Sequence, residues 1–348
     1  MTESNITGAK PPSIVCCSAS GDRNWRWFAP VIGEDRLNWE FYYQESRSIW
    51  ERKLMRPNLA LIRACWQSVL ACRRLSADLL VSHNPHATFW CEFFASLLGV
   101  EVEHIAWSFN FASLPRGAKH WRMRRYFRDV AKFIVYSRME RTAYSEHFNI
   151  PIDKINVLLW GVQAPTVTPA ETPIEHGDYV CAIGGNARDY ETLMAAMTLL
   201  PDLPLVAVMR PYNQAGLAIP ANVRVRVNVP LGETNNILKY SRFMVLPLTG
   251  SEVPCGLVSL VAAMHLAKTS VVTNSTGVSD YVKDGHNAVA CEANSPEQLA
   301  DAIKRLWENG DLCRELGANA KSFAAEHCSE PPVLNHFIQL LQQRDLLR

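Results

Sequence analysis

No uninterrupted apolar run in this 348-residue chain approaches the roughly 20 residues that a membrane-spanning helix needs. Met1–Ser13 is polar, and the apolar stretch Ile14–Cys17 is too short for the core of a secretory signal, so no signal peptide is expected. The ten cysteines form no C-x-x-C pair, and Cys65, Cys72 and Cys181 lie inside apolar runs. Buried, reduced thiols in a cytoplasmic protein explain them better than disulfides or a zinc site. The sequence contains no internal repeat and no low-complexity tract. It also has no D-x-D pair, the carboxylate arrangement that holds a divalent cation in one class of sugar-transferring enzymes.

A chain of this length that is 48% hydrophobic can bury two cores, so two domains are expected. The net charge of +1 is unevenly spread. Residues 1–165 carry 21 basic and 15 acidic side chains, and the remainder 14 and 19. Nine of the ten tryptophans fall within the first 160 residues. A basic, aromatic-rich half suits an anionic or sugar partner or a membrane surface; an ordinary tryptophan-rich core explains it equally well. Overall charge near zero argues against a nucleic-acid partner.

Strand signals occur at Ile14–Ser18, Phe41–Tyr43, Asp78–His83, Val102–Trp107, Phe133–Tyr136 and Ile155–Leu159. Helical patterns run between them, clearest at Leu59–Leu75. The second half repeats the rhythm, with strands at Tyr179–Ile183, Leu205–Met209, Val223–Val227, Phe243–Leu246 and Ser270–Thr273. Alternating strands and helices predict an α/β fold of two Rossmann-like domains. The expected division is a flexible tail over 1–12, a first domain over 13–165 and a proline-containing linker over 166–177. A second domain over 178–330 and a C-terminal helix over 331–348 complete it.

Phe243–Cys291 organises the second half. An apolar strand ends in a loop with Gly250, Ser251 and Glu252; Gly256 then opens an apolar helix. The next strand ends in Asn274-Ser275-Thr276-Gly277, after which a further helix is expected. Ligands of parallel sheets bind beyond the carboxyl ends of strands, and the free N–H groups of a helix starting near Gly256 favour an anion there.

The segments GLVSLVAAMHLAKTSVVT, GVSDYVKDGHNAV and SPEQLADAIKRLWENGDLCRELGANAKSFA resemble the donor-nucleotide region of GT-B glycosyltransferases, especially family 4 (group 1). The likeness reaches back to Gly184-Gly185 and covers about half of the chain. It implies the GT-B fold, two Rossmann-like domains facing each other across a cleft, the second holding a nucleotide sugar and the first its acceptor. One departure from the pattern is serious. That family usually has two glutamates separated by seven residues, where this chain has Pro254 and Ala262, or Val253 and Val261 in the alternative register. A smaller one is Thr269, where the family often has a proline after its lysine.

The resemblance implies that Gly184, Gly185, Gly256, Leu257 and Val258 approach the donor through their backbone, with Arg188 clamping the diphosphate. Glu252 is the carboxylate available for sugar or ribose hydroxyls. Lys268 stands where the family often has a lysine, and Thr276 and Gly277 approach from the next strand end. His83, at a strand end in His83-Asn84-Pro85-His86, is a candidate base or sugar ligand. Asp22, Asn110 and Ser137 follow other strands and are further candidates. No metal and no other cofactor is expected.

The run from Arg116 to Arg128 is the clearest charge feature: it suits a lipid-linked acceptor at the inner membrane face, and a solvated helix face accounts for it as well. The expected activity is transfer of a sugar from a nucleotide diphosphate donor to a hydroxyl acceptor: a glycan, a lipid-linked saccharide or a small molecule. Retention of configuration is the family default. A nucleotide-sugar epimerase of the same fold and a catalytically inactive GT-B-like binding subunit are the alternatives.

Overall fold

The computed structural model describes residues 10–19, 28–33, 36–46, 58–252 and 255–347. The expected tail over 1–12 and the candidate Asp22 therefore lie largely or wholly outside the described residues. The chain divides into two compact units. One contains the residues to Tyr136, Arg141–Leu158 and Leu334–Arg348; the other contains Ser137–Glu140 and Leu159–Val333.

The first unit holds strands β1 (Ser13–Ser18), β2 (Asn38–Tyr43), β3 (Leu79–His83), β4 (Glu103–Trp107), β5 (Lys132–Val135) and β6 (Ile155–Val157). They form one parallel sheet in the order β2-β1-β3-β4-β5-β6. The strand order reverses between β1 and β3, where Ser18 pairs with His83. All six residues of β1 are buried, as expected for a strand covered on both faces. Helices α1 (Phe28–Ile32), α2 (Leu59–Leu75), α3 (Pro85–Leu98), α4 (Gly117–Tyr126) and α5 (Arg138–Phe148) connect the strands.

Local chemistry sets the helix ends. The Asn58 side chain accepts the Leu61 N–H at 3.1 Å and caps α2. Asn84, at φ 94°, accepts the His86 N–H, and Pro85 supplies the first turn of α3. Gly99, at φ 61°, ends that helix. Val15, Cys17, Cys65, Val69, Leu80 and Cys91 form a core between the sheet and α2 and α3. Phe109, Phe127, Phe133, Tyr144 and Phe148 form an aromatic core beyond β4. All ten cysteines are free and eight are buried, where a thiol packs as a small apolar group.

The second unit contains β7 (Val180–Ile183), β8 (Leu205–Met209), β9 (Val223–Val227), β10 (Met244–Leu246), β11 (Ser270–Thr273) and β12 (Val289–Cys291). Their parallel order is β12-β11-β10-β7-β8-β9, so the order reverses between β7 and β10. Its helices are α6 (Tyr190–Thr198), α7 (Pro211–Gln214), α8 (Leu231–Tyr240), α9 (Leu257–His265), α10 (Pro296–Glu308) and α11 (Gly310–His327). The final helix, α12 (Glu330–Gln342), carries Phe337, whose ring lies 4.8 Å from Phe28 and 5.5 Å from Trp107.

Two expectations need correction, and one strand was not expected. The segment after Gly277 is a run of turns, not a helix, and Asn287 fastens it by accepting the Lys283 N–H at 2.8 Å. β12 was not expected from the sequence; it pairs with β11 at the sheet edge. Residues 166–177 pack as part of the second unit: Asn235 and Asn236 donate to the carbonyls of Thr166 and Pro169, and Glu175 pairs with Arg226.

Candidate functional site

In the second unit, three loops meet at the carboxyl ends of β7, β10 and β11, beside the point where strand order reverses. The Asp189 N–H donates to the Pro247 carbonyl at 3.1 Å, and the Thr249 N–H donates to Ala187 at 3.2 Å. The Leu248 N–H donates to Thr273 Oγ1 at 2.8 Å. The Thr276 N–H and hydroxyl both donate to the Ser251 carbonyl, at 2.8 and 3.2 Å. These bonds bring the loops that carry Gly184, Arg188, Glu252, Gly256 and Thr276 into one continuous rim.

Arg188 is the centre of that rim. Its side chain is buried, with the residue only 9% exposed. Nε donates to the Ile183 carbonyl at 3.1 Å, Nη1 to Asn186 at 2.9 Å and Nη2 to Ser259 Oγ at 2.7 Å. Burial pulls its pKa below the usual arginine value, though a guanidinium stays charged. No described carboxylate pairs with it. A buried cation without a counter-ion is costly, and here three hydrogen bonds offset part of that cost.

The adjoining helix end has the same sign. Gly256, at φ 101°, precedes α9, and no side chain caps that helix. An added Cβ there would sit 3.1 Å from the Leu246 side chain, so both backbone and space call for glycine. The first N–H groups of α9, from Leu257 to Ser259, have no acceptor inside the helix and mark its positive pole. The Leu257 side chain is buried while Val258 is 61% exposed, so both offer only backbone.

Gly184 and Gly185 are required by close packing. A Cβ on Gly184 would lie 2.7 Å from Arg188 Nη2. A Cβ on Gly185 would meet Arg210 Cγ and the Tyr212 hydroxyl, each at 2.6 Å. The Tyr190 hydroxyl donates to the Gly184 carbonyl at 2.7 Å, fixing the turn from below. Tyr212, itself 62% exposed, donates to Asn186 Oδ1 at 3.1 Å, and Asn213 donates to the Gly185 carbonyl at 3.0 Å. The sequence reading missed Ser259, Tyr190, Arg210, Tyr212 and Asn213. The one available signal was the R-P-Y-N run directly after a strand.

Glu252 is exposed on the rim, and its carboxylate makes no hydrogen bond or ion pair with a described residue. The Thr276 groups are engaged with Ser251, and Gly277 is buried, its N–H donating to Ser275 Oγ at 3.3 Å. Lys268 is a correction. It precedes β11, at the amino end of the sheet, and its ammonium donates to the Ser241 carbonyl. The opposite strand ends carry the glycine loops, so Lys268 cannot reach the same anion.

In the first unit, His83 ends β3 at the reversal of strand order, half-buried. Burial lowers its pKa to about 4, so the imidazole is neutral at pH 7. Behind it, His104 Nε2 lies 2.8 Å from Ser82 Oγ, and Nδ1 is bonded to Glu92. This buried network ties α3 to β3 and β4. Asn110 is half-buried, its N–H donating to the Ser108 carbonyl at 2.9 Å. Ser137 is a second correction: it is fully buried, and its hydroxyl donates to Glu140 Oε2 and accepts the Glu140 N–H, both at 3.2 Å. That hydroxyl closes the first turn of α5 and is unavailable to a ligand.

Two α/β units with parallel sheets, one with glycine loops and a buried arginine at its strand reversal, place the chain among doubly wound α/β proteins. Superposition shows the fold to be that of GT-B glycosyltransferases. A glycosyltransferase from Rickettsia africae matches with a TM-score of 0.70 at 12% identity, over 97% of this chain and 99% of that one. A sucrose-phosphate synthase from Thermosynechococcus elongatus matches with 0.70 at 14% identity, over 95% and 98%. The Anabaena protein HepE in complex with UDP matches with 0.68 at 13% identity, over 95% and 100%. Residues 213–323 match the family described as "Glycosyl transferases group 1". Two uncharacterized glycosyltransferases of Methanocaldococcus jannaschii are 38% identical over 69 residues and 29% identical over 102 residues. Those segments cover 20% and 29% of this chain and only 18% and 28% of the relatives.

Proposed function

We propose that the protein is a glycosyltransferase that moves a sugar from a nucleoside diphosphate donor to a hydroxyl acceptor. The observation that carries this reading is Arg188: a buried guanidinium without a carboxylate partner, bonded to Ser259 in the first turn of α9. The group 1 domain and the UDP and UDP-glucose named for the Anabaena neighbour support a diphosphate donor. In this reading the diphosphate lies against Arg188 and the N–H groups opening α9. Both favour the extra negative charge that the leaving diphosphate gains in the transition state.

The bond between the anomeric carbon and the diphosphate oxygen breaks, and a bond from the same carbon to the acceptor oxygen forms. The acceptor proton passes to the departing diphosphate. With retention, both events take place on one face of the sugar. His83, neutral and with a pKa of about 4, is a poor proton acceptor. We assign it a hydrogen bond to a sugar or acceptor hydroxyl instead. Glu252, with its carboxylate free of described partners, is our candidate for donor hydroxyls. The acceptor is a glycan, a lipid-linked saccharide or a small molecule. Ten free cysteines fit a reducing compartment, the cytoplasm.

The second reading is a binding subunit without catalysis. It is favoured by Val261 and Ala262, apolar residues in the part of α9 where the family places a carboxylate. Thermal unfolding with nucleoside diphosphates, in EDTA and in magnesium, tests the donor site. Binding to the native state raises the melting temperature, and the charge already present at Arg188 and α9 leads us to expect the rise in EDTA as well. Loss of protection in EDTA defeats the metal-free reading. Slow hydrolysis of a nucleotide sugar separates an enzyme from a binding subunit, and recovery of an isomerised donor reveals an epimerase.

A further inference from the structure

Helix α4 presents a surface that the donor site does not use. From Arg116 to Arg128 the chain has six cations, Arg116, Lys119, Arg122, Arg124, Arg125 and Arg128, and no carboxylate. None of the six forms an ion pair with a described residue. The helix buries only Met123, yet Trp121 is 65% exposed. A merely solvated face has no reason to expose an indole.

The neighbouring face of α3 is apolar. A groove of about 360 Å³ runs between the helices, with Phe89, Trp90 and Phe93 on one side and Trp121, Arg122 and Arg125 on the other. Tyr126 also lines the groove, its ring 5.7 Å from both Phe89 and Phe93. One turn beyond Phe93 on the same helical face, Leu97 is 63% exposed. Leu114, just before α4, is 37% exposed. Aromatics at an interface, exposed aliphatics beside them and a cationic rim are what a helix lying in an anionic bilayer surface requires. Single-stranded nucleic acid also uses aromatics and arginines. Exposed leucines offer nothing to a base, however, and the chain's net charge is only +1.

We propose that α4 and the adjoining face of α3 dock the protein on an anionic lipid bilayer. Headgroup phosphates sit against Arg122 and Arg125, and Trp121 enters the acyl boundary. This inference does not rest on the donor site. The test is co-sedimentation of the full chain with vesicles of phosphatidylcholine alone or mixed with phosphatidylglycerol. Binding is expected to the mixed vesicles only, and to weaken in high salt. Each cation near such a surface contributes about fivefold. The double variant Arg122→Glu, Arg125→Glu is therefore expected to bind at least about 25-fold more weakly. Trp121→Ala is expected to lose the salt-resistant part of binding. Both variants change exposed side chains, so their melting temperatures and their protection by nucleoside diphosphate should match the parent. Equal binding to both vesicle types, parent-like binding by the double variant, or no vesicle binding would each overturn the proposal. So would binding of a single-stranded oligonucleotide at a salt concentration where vesicles are ignored.

Discussion

Arg188 Nη2 donates to Ser259 Oγ at 2.7 Å, joining the loop after β7 to the first turn of α9 across 71 positions of sequence. Ser259 Oγ in turn lies 3.2 Å from the Gly256 carbonyl. The pair sets a buried positive charge beside a helix pole of the same sign.

The first prediction concerns this pair. Arg188→Ala should weaken nucleoside diphosphate binding about ten- to hundredfold, the worth of a charged hydrogen bond. Ser259→Ala keeps the guanidinium and should cost less than tenfold. Isothermal titration of both variants checks the order. Equal affinities for Arg188→Ala and the parent would remove Arg188 from the site.

Two glycines separate site from scaffold. Gly185→Ala pushes a methyl against the Arg210 and Tyr212 side chains, which are exposed and can move. The variant should stay folded but bind the donor more weakly, because the loop after β8 shifts. Gly317→Ala in α11 instead drives a methyl into the Ala267 carbonyl oxygen, which is backbone and cannot yield. It should cost about 1–3 kcal/mol of stability and lower the melting temperature by several degrees. Comparing melting temperature with affinity distinguishes the two.

Acid should destabilise the first unit through His83. Its folded pKa of about 4 lies below the ordinary value of 6.5, so the unfolded chain binds more protons in between. Stability therefore rises with pH across this window and is lost as pH falls from about 6.5 toward 4. His83→Gln removes the titration. Urea midpoints at pH 7 and pH 5 should differ less in the variant than in the parent, and an unchanged difference would rule His83 out as the source.

Glu252 gives the sharpest test of chemistry against binding. Glu252→Gln keeps size and removes charge. If the carboxylate holds donor hydroxyls, turnover should fall by more than affinity for the bare nucleoside diphosphate, which lacks the sugar. Full activity in the variant would favour a site that works without a carboxylate at this rim.

Much of the fold was legible in the residues because the signals are local. Asn58, Asn84 and Gly99 act on the turn next to them, and strand and helix periodicity is written within ten residues. The strand positions in both units followed from this, as did the loop before Gly256. β12, at the edge of its sheet, did not. Nor did the turns after Gly277, whose anchor is a side chain from Asn287.

The loops were legible in the sequence and their contacts were not. A glycine pair after a strand and a glycine before a helix suffice to suggest an anion, because both act through their own backbone. Which side chains join them depends on strand order. Placing β10 beside β7 sets Ser259 against Arg188, and placing β8 on the other side folds Arg210 and Tyr212 over Gly185. The same order leaves Lys268 at the amino end of the sheet, and Ser137 is taken up in closing the first turn of α5. Sequence alone determined that the chain builds two parallel sheets with glycine-lined strand ends. Only the tertiary structure decided which charge is buried there without a partner, because burial and counter-ions come from residues far apart in the chain.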